Sequence, residues 1–298
     1  MELKSKLHHL VRTTPWLGRV ALRIIPDRNM CITVKPVGKF AIRLRRDRGY
    51  WLRSPLSNDG FMLGALQRMV HPGDVVYDVG ANIGLYSRIM VQQFQASRIY
   101  AFEPVSENRS LLMRNLEIGY CADRVVVLPF AIGNEDGSAE FQVDDISSHS
   151  GTLDAVTHGA ASASRQQYHL APLRATVQVC RLDSLIRDRN LTPPQVLKLD
   201  IEGAEAMALR GAIGLLREHS PNLVIELHGA KVAAEVLQIL WECGYHCFGY
   251  LESSEGCVYK KLQASDLSKI TDLYSLHFLA ACVREEELTL PIVDPEWC

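Results

Sequence analysis

Apolar positions along the chain repeat with two different periods, and the switch between them marks its organisation. Residues 3–25 place apolar side chains at Leu7, Leu10, Val11, Trp16, Leu17, Val20, Leu22, Ile24 and Ile25, with Pro15 between them. That spacing predicts one or two short amphipathic helices. Residues 31–53 alternate instead, with Ile32 and Val34, then Phe40, Ile42 and Leu44, around Gly38. This is a strand or hairpin pattern. Asn58-Asp59 suits the cap of a helix over Gly60–Val70 that Pro72-Gly73 stops. From Asp74 onward, strand-like and helix-like runs alternate. Strands are expected at Val75–Val79, Arg98–Phe102, Val125–Phe130, Val196–Leu199 and Asn222–Leu227, and helices at Leu85–Phe94, Ser106–Ile118, Glu205–Glu218 and Lys231–Cys243. Further strands are expected at His246–Leu251, Cys257–Lys261 and His277–Val283, two of them as an antiparallel hairpin closing the sheet. Strands that are apolar throughout are buried on both faces, so the pattern predicts an α/β fold: a doubly wound, mostly parallel sheet with an N-terminal extension.

The length of 298 residues fits one large domain with an extension. The expected division is a basic extension over 1–60, a helical segment plus hairpin, and a main domain over 61–298. Within the latter, about 144–176 is rich in Ser, Ala, His and Gly and has little periodicity. Long loops of this kind are commonly functional, and this one is placed to reach over a ligand crevice. Its His149, His158 and His169 are expected to face solvent rather than a substrate.

Apolar residues at 47% and charged residues at 22% exclude a disordered or fibrous chain. No apolar run approaches the roughly 18–20 residues of a membrane span, and no secretory signal pattern opens the chain. A cytoplasmic protein is expected. The eight cysteines include no C-x-x-C pair, so reduced, packed thiols are expected. Cys243, His246 and Cys247 are a poor zinc spacing. The net charge of −2 conceals an asymmetry: residues 1–53 hold thirteen Lys/Arg against three acids, a net +10, leaving −12 for the remainder. A basic front on an acidic body fits packing on that body, a second copy of the chain, or peripheral contact with an anionic membrane. Packing is the preferred reading.

The candidate chemistry starts at Asp78-Val-Gly80-Ala-Asn82-Ile-Gly84, the turn after the first strand of the alternating region. In a doubly wound sheet, ligands bind beyond the carboxyl ends of the strands. Gly80 is expected to permit the tight turn and the approach of a ligand, and Gly84 the close packing of the next helix. The spacing G-x-x-x-G is not the G-x-G-x-x-G that cradles a pyrophosphate. It suits S-adenosylmethionine, which has no phosphate and carries a cationic sulfonium and an amino-acid tail. Glu103 ends the next strand nineteen residues after Gly84, where an acid can accept both ribose hydroxyls.

At this point several blocks, in order, resemble the FkbM-type methyltransferases. They are Asp78 to Ser87; Phe102-Glu103-Pro104 with Asn108 and Asn115; Phe130-Ala131-Ile132-Gly133 with Gly137 and Phe141; Leu182-Asp183-Ser184-Leu185; Leu197 to Glu205 with Leu209-Arg210-Gly211-Ala212; and Ile225-Glu226-Leu227-His228. They span about 70–230. The resemblance implies a Rossmann-like class I methyltransferase fold and O-methylation of a sugar, glycan or natural-product hydroxyl. It also implies a cofactor site at Asp78, Gly80, Asn82, Gly84, Tyr86, Ser87, Glu103, Pro104, Ala131, Ile132 and Asp200. Position 204 is Ala where some members carry His.

A hydroxyl is a poor nucleophile, so a positioned base is expected. Asp200, Glu202, Glu226 and His228 are the candidates. Residues two apart on an extended chain share a side, which pairs Asp200 with Glu202 and Glu226 with His228. Asp200 is ranked first as base or acceptor-positioning group and His228 second. Glu202 equally suits capping the helix near Glu205, where the helix dipole favours an acid. Lys198 is expected to pair with a nearby acid. No metal is assigned; one held by Asp200, Glu202 and Glu226 is a minor alternative. The expected partner is a small-molecule or glycan acceptor. Nucleic acid is disfavoured: the amino-methylating Asn/Asp-Pro-Pro-aromatic run is absent, and the body is acidic. The competing functions are a protein or nucleic-acid methyltransferase and a binding module without turnover.

Overall fold

The structure, a computed structural model, describes residues 24–52, 56, 60–143, 151–153, 156, 173–251, 259–262 and 278–283. The helical segment expected over 3–25, as far as residue 23, the Asn58-Asp59 cap and most of the 144–176 loop, with His149, His158 and His169, lie outside them.

The first two strands among the described residues form an antiparallel hairpin, β1 (Asn29–Val34) and β2 (Gly38–Arg43), as the alternation predicts. Two helices follow, α1 (Arg48–Leu52) and α2 (Gly60–Met69). The βα units begin with β3 (Val75–Val79), α3 (Leu85–Gln92), β4 (Arg98–Phe102), α4 (Ser106–Ile118) and β5 (Val125–Leu128). A second sheet is inserted next, from β6 (Phe130–Ile132), β7 (Gly137–Val143), β8 (Thr152–Leu153) and β9 (Leu173–Cys180). The main sheet resumes through α5 (Leu182–Arg189), β10 (Val196–Leu199), α6 (Glu205–Arg210), α7 (Ile213–His219), β11 (Asn222–Glu226) and α8 (Ala230–Glu242). Strands β12 (Cys247–Leu251), β13 (Tyr259–Leu262) and β14 (Phe278–Cys282) complete it.

The main sheet has the order β13-β12-β14-β11-β10-β3-β4-β5. Strands β11, β10, β3, β4 and β5 run parallel, and β14, β12 and β13 join antiparallel, so the expected closing hairpin, β12 with β13, is separated from β11 by β14. Each face carries its own core. One packs Val76, Ile99, Val196 and Val224 against α2, α3, α4 and the β1–β2 hairpin. The other packs Tyr77, Phe102, Leu197, Leu199 and Ile225 against α5 to α8. Period-2 alternation within apolar strands feeds both cores. Helix α4 shows the complementary rule, burying Asn108, Leu111, Leu112, Asn115 and Leu116, a stripe at three- and four-residue spacing.

Three expectations are corrected. The strand expected over Val125–Phe130 breaks at Pro129, which cannot donate to a ladder; β6 leaves the main sheet and pairs with β9. The helix expected over Glu205–Glu218 is two helices, broken at Gly211-Ala212. A Cβ at Gly211 would overlap the Gly133 carbonyl, so the chain turns where β6 ends. Within the span expected as a loop, Thr152–Leu153 pairs with β7, and β9 starts at Leu173.

The basic front is partly internal. Arg43 is buried with Asp47, and Arg45 and Arg46 both pair with Asp27. Arg88 reaches from α3 to the carbonyls of Val37 and Lys39 and lies over the Phe40 ring, fastening the hairpin to the domain. No helix among the described residues is long and apolar enough to cross a membrane. Cys243, His246 and Cys247 are not brought together as a metal group, and His246 lies edge-on to Trp241 instead.

Candidate active site

The carboxyl ends of four adjacent parallel strands, β11, β10, β3 and β4, line up the polar side chains that the sequence singles out. At β3, Asp78 is wholly buried. In the register of β10 on β3, Lys198 is its Cα partner, so the two side chains meet: Nζ lies 3.2 Å from Asp78 Oδ1. Ser87 Oγ donates to Asp78 Oδ2 at 2.6 Å. Asp78 therefore spends its carboxylate inside the protein, where the sequence suggested the cationic end of a ligand. The Lys198 ammonium also donates to the Gly80 carbonyl at 3.0 Å and sits 5.4 Å from the centre of the Tyr86 ring. Burial alone would lower its pKa, but the charges of Asp78, Asp200 and Glu226 outweigh that and hold it raised.

Gly80 and Gly84 are both in the left-handed region, at φ 80° and 87°. The reason for Gly80 is sharper than expected. A Cβ there would overlap the carbonyl oxygen of Asp200, which crosses directly over the turn. At Gly84 a Cβ would meet Leu112 of α4 at 3.0 Å, so this glycine serves helix packing, as expected.

At β4, Glu103 is 5% exposed. Its Oε2 accepts the Asn82 N–H at 2.9 Å, tying it to the glycine turn, and its Oε1 accepts the Val105 N–H at 2.9 Å and Asn108 Nδ2 at 3.3 Å. Asn108 in turn accepts from Arg43 of the hairpin at 2.5 Å. Burial raises the Glu103 pKa to about 7, against the lowering by those hydrogen bonds and by Arg109. Pro104 follows, with its carbonyl accepting from Arg109 at 2.6 Å.

On the other side, parallel register places Leu199 beside Ile225, so Asp200 and Glu226 emerge next to each other. Asp200 Oδ2 is 3.6 Å from Lys198 Nζ. Glu226 and His228 do converge as expected, with Oε1 3.8 Å from Nε2. Asp200 and Glu202 are not two residues of one strand. The strand ends at Leu199, and Glu202 has φ 56° beside Gly203 at φ 104°. Such backbone in a non-glycine residue is strained and concentrates at functional turns. It aims Glu202 at His228, with Oε2 3.6 Å from Nε2.

The capping role considered for Glu202 belongs to Glu205. That residue is wholly buried, and its Oε1 accepts the N–H groups of Gly203 (3.0 Å) and Ile201 (3.3 Å) and contacts His228 Nδ1 at 2.8 Å. His228 thus lies among carboxylates. Burial would lower its pKa, but the hydrogen bond to Glu205 and the charges of Glu202, Glu205 and Asp200 raise it to about 10. It is an imidazolium at neutral pH and does not serve as the second base.

The metal group considered for Asp200, Glu202 and Glu226 is replaced by another: ligand atoms of Asp200, Glu226 and His228 lie within 4.8 Å of one another. Ala131 and Ile132 lie on β6, where Ile132 is 2% exposed and packs in the second core. Two contributors were not singled out by sequence. Glu205 is one; an acid in the first turn of a helix was its only signal. Thr152 is the other, donating to the Glu202 carbonyl at 3.0 Å, while Val156 packs over Gly203. The inserted segment therefore touches the strained turn.

The chain is similar to known methyltransferases. A hexuronic acid methyltransferase of Haloferax volcanii is 25% identical over 193 residues, covering 64% of this chain and 72% of its own. The 31-O-demethyl-FK506 methyltransferase of Streptomyces tacrolimicus is 27% identical over 194 residues, covering 59% and 74%. A methyltransferase of Beauveria bassiana is 31% identical over 163 residues, covering 52% of this chain and 65%, just under two thirds, of its own. Among solved structures, an FkbM methyltransferase of Methylobacillus flagellatus aligns with a TM-score of 0.44 at 19% identity, over 70% of this chain and 43% of that one. The methyltransferase FkbM domain family matches residues 78–247, more than half of the chain and the whole run from the glycine turn through β10 and β11. The chain belongs to the FkbM methyltransferase family and is a methyl-transferring enzyme.

Proposed function

We propose that this enzyme transfers a methyl group from S-adenosylmethionine to a hydroxyl of a sugar, glycan or natural product. The observation that carries the reading is the row of strand ends. Glu103 offers a buried carboxylate beside the glycine turn, and Asp200, Glu226 and His228 gather two and three strands away, roughly 10 and 15 Å at ordinary strand spacing. That is a nucleoside side and an acceptor side on one crevice. Two relatives support the acceptor class, since their names specify a hexuronic acid and 31-O-demethyl-FK506.

S-adenosylmethionine fits the residues present. Glu103 is an acceptor suited to a ribose diol, and the turn has no room for side chains at Gly80 and Gly84. Asn82 and Tyr86 complete the side facing Glu103 and Lys198. The bound cofactor supplies an electrophilic sulfonium methyl; the acceptor oxygen forms the new C–O bond as the C–S electron pair stays on sulfur. The chain's share is to hold the acceptor oxygen in line, for which orientation contributes up to about 7–11 kcal/mol, and to take its proton. Asp200 is suited to that. It is 27% exposed, lies 3.6 Å from the Lys198 ammonium and stands at the end of the strand beside the one that carries the glycine turn.

Purified enzyme with methyl-labelled cofactor and a panel of sugar, hexuronic acid and polyketide alcohols tests this. The expected result is label on acceptor oxygen. Label appearing only on nitrogen or carbon, or tight cofactor binding without turnover on any alcohol, would overturn it.

Glu103 gives a pH signature. Ribose hydroxyls donate to the carboxylate, so the ionised form binds, while the free enzyme holds this group protonated below about 7. Affinity should rise as pH rises through 7 and level off above it, about tenfold weaker at pH 6 than at pH 8 for a one-proton linkage. Glu103→Gln should flatten the profile; calorimetric titration at both pH values measures it.

A further inference from the structure

Asp200, Glu226 and His228 have the character of a ligand set rather than of a salt-bridged cluster. Each offers one atom, two carboxylate oxygens and a ring nitrogen, within 4.8 Å of one another. The adjacent parallel strands β10 and β11 fix the first two. His228 is fixed from behind. Glu205, wholly buried and anchored by the Gly203 and Ile201 N–H groups, holds Nδ1 at 2.8 Å, which turns Nε2 toward the crevice. A carboxylate on the far nitrogen is how proteins orient and polarise a metal-binding imidazole. A charge-assisted hydrogen bond on the near side would close to about 2.7–2.9 Å. Nε2 instead stands 3.6 Å from Glu202 and 3.8 Å from Glu226.

The charge count points the same way. Among the described residues, Asp200, Glu202, Glu205 and Glu226 surround His228, and these four carboxylates face two cations, the protonated His228 and Lys198, the latter shared with buried Asp78. One oxygen of Glu205, Oε2, is buried without a hydrogen-bond partner. Carboxylates gathered in excess of cations call for added positive charge.

We propose that Asp200 (through one oxygen, the other left to take the acceptor's proton), Glu226 and His228 (with release of its Nε2 proton) bind a divalent cation, and that this cation holds the acceptor through two oxygens, so that the acceptor is a vicinal diol or an α-hydroxy acid. The second half rests on the methyltransferase reading above; the first does not. Two hard oxygens and one imidazole favour Mn²⁺ or Zn²⁺ over Mg²⁺ or Ca²⁺. Three protein ligands leave about half of an octahedral shell open, enough for a chelating pair of oxygens.

The test is Mn²⁺ titration of the purified full chain, read by loss of the free-ion electron paramagnetic resonance signal. One Mn²⁺ bound per chain is expected. Affinity should fall at least tenfold in Asp200→Asn and His228→Gln, both of which retain S-adenosylmethionine binding as proof of folding, and should persist in Glu103→Gln. An undiminished free signal with wild type, or equal affinity in both site variants, would overturn the cation site. Methyl transfer that continues in chelator overturns the cation's hold on the acceptor while leaving the methyltransferase reading standing. Mn²⁺ binding without transfer to any acceptor does the reverse. On matched acceptors, Mn²⁺ should raise turnover for the vicinal diol and not for the lone alcohol; equal stimulation of both would remove the chelation claim.

Discussion

Asp200→Asn is expected to lower the rate of methyl transfer by about 10²–10⁴-fold, the usual worth of a positioned proton acceptor. The substitution keeps side-chain volume and removes only the charge. It should leave the fold in place, because Lys198 retains Asp78 and the Gly80 carbonyl as partners and Asp200 is itself 27% exposed. Binding of S-adenosylmethionine should change little, since Glu103 stands two strands away. Steady-state kinetics with a calorimetric check of cofactor binding separate the two effects. Turnover within about threefold of wild type would mean that Asp200 neither takes the proton nor holds the acceptor.

Lys198→Met should produce the largest loss of stability. Methionine matches the length of the lysine stem but leaves Asp78, 0% exposed, with only Ser87 to answer its charge. Removing one partner of a buried ion pair costs about 3–5 kcal/mol. For a domain of this size that is a fall in melting temperature on the order of 10 °C. Pairing it with Asp78→Asn should recover part of the loss, because the uncompensated charge disappears as well. A melting temperature within about 2 °C of wild type would show that the Asp78–Lys198 contact does not hold the turn in place.

The parts of the fold governed by local pattern were legible in the sequence. Strands β3, β4 and β10 and helix α4 fall where the apolar runs and stripes predict them, because the strands are largely covered, the helix buries one stripe, and each period is clean. The inserted sheet was not legible. Strand β9 alternates weakly, with five of its eight residues exposed, and β6 is only three residues beyond a proline. Their pairing is a matter of tertiary contact. The site divides in the same way. The glycine turn and Glu103 could be read from spacing, since they sit at strand ends. The reason for Gly80 could not, because it depends on the Asp200 carbonyl, far along the chain. Nor could the state of His228, since a proton held at a pKa of about 10 results from three carboxylates that meet only in the folded chain.

A crystal structure with S-adenosylhomocysteine bound tests the two-sided crevice most directly. The expected result is ribose hydroxyls on the Glu103 carboxylate, with the sulfur directed toward Asp200. A nucleoside bound away from Gly80 and Glu103, or a sulfur facing away from the Asp200, Glu226 and His228 side, would contradict it.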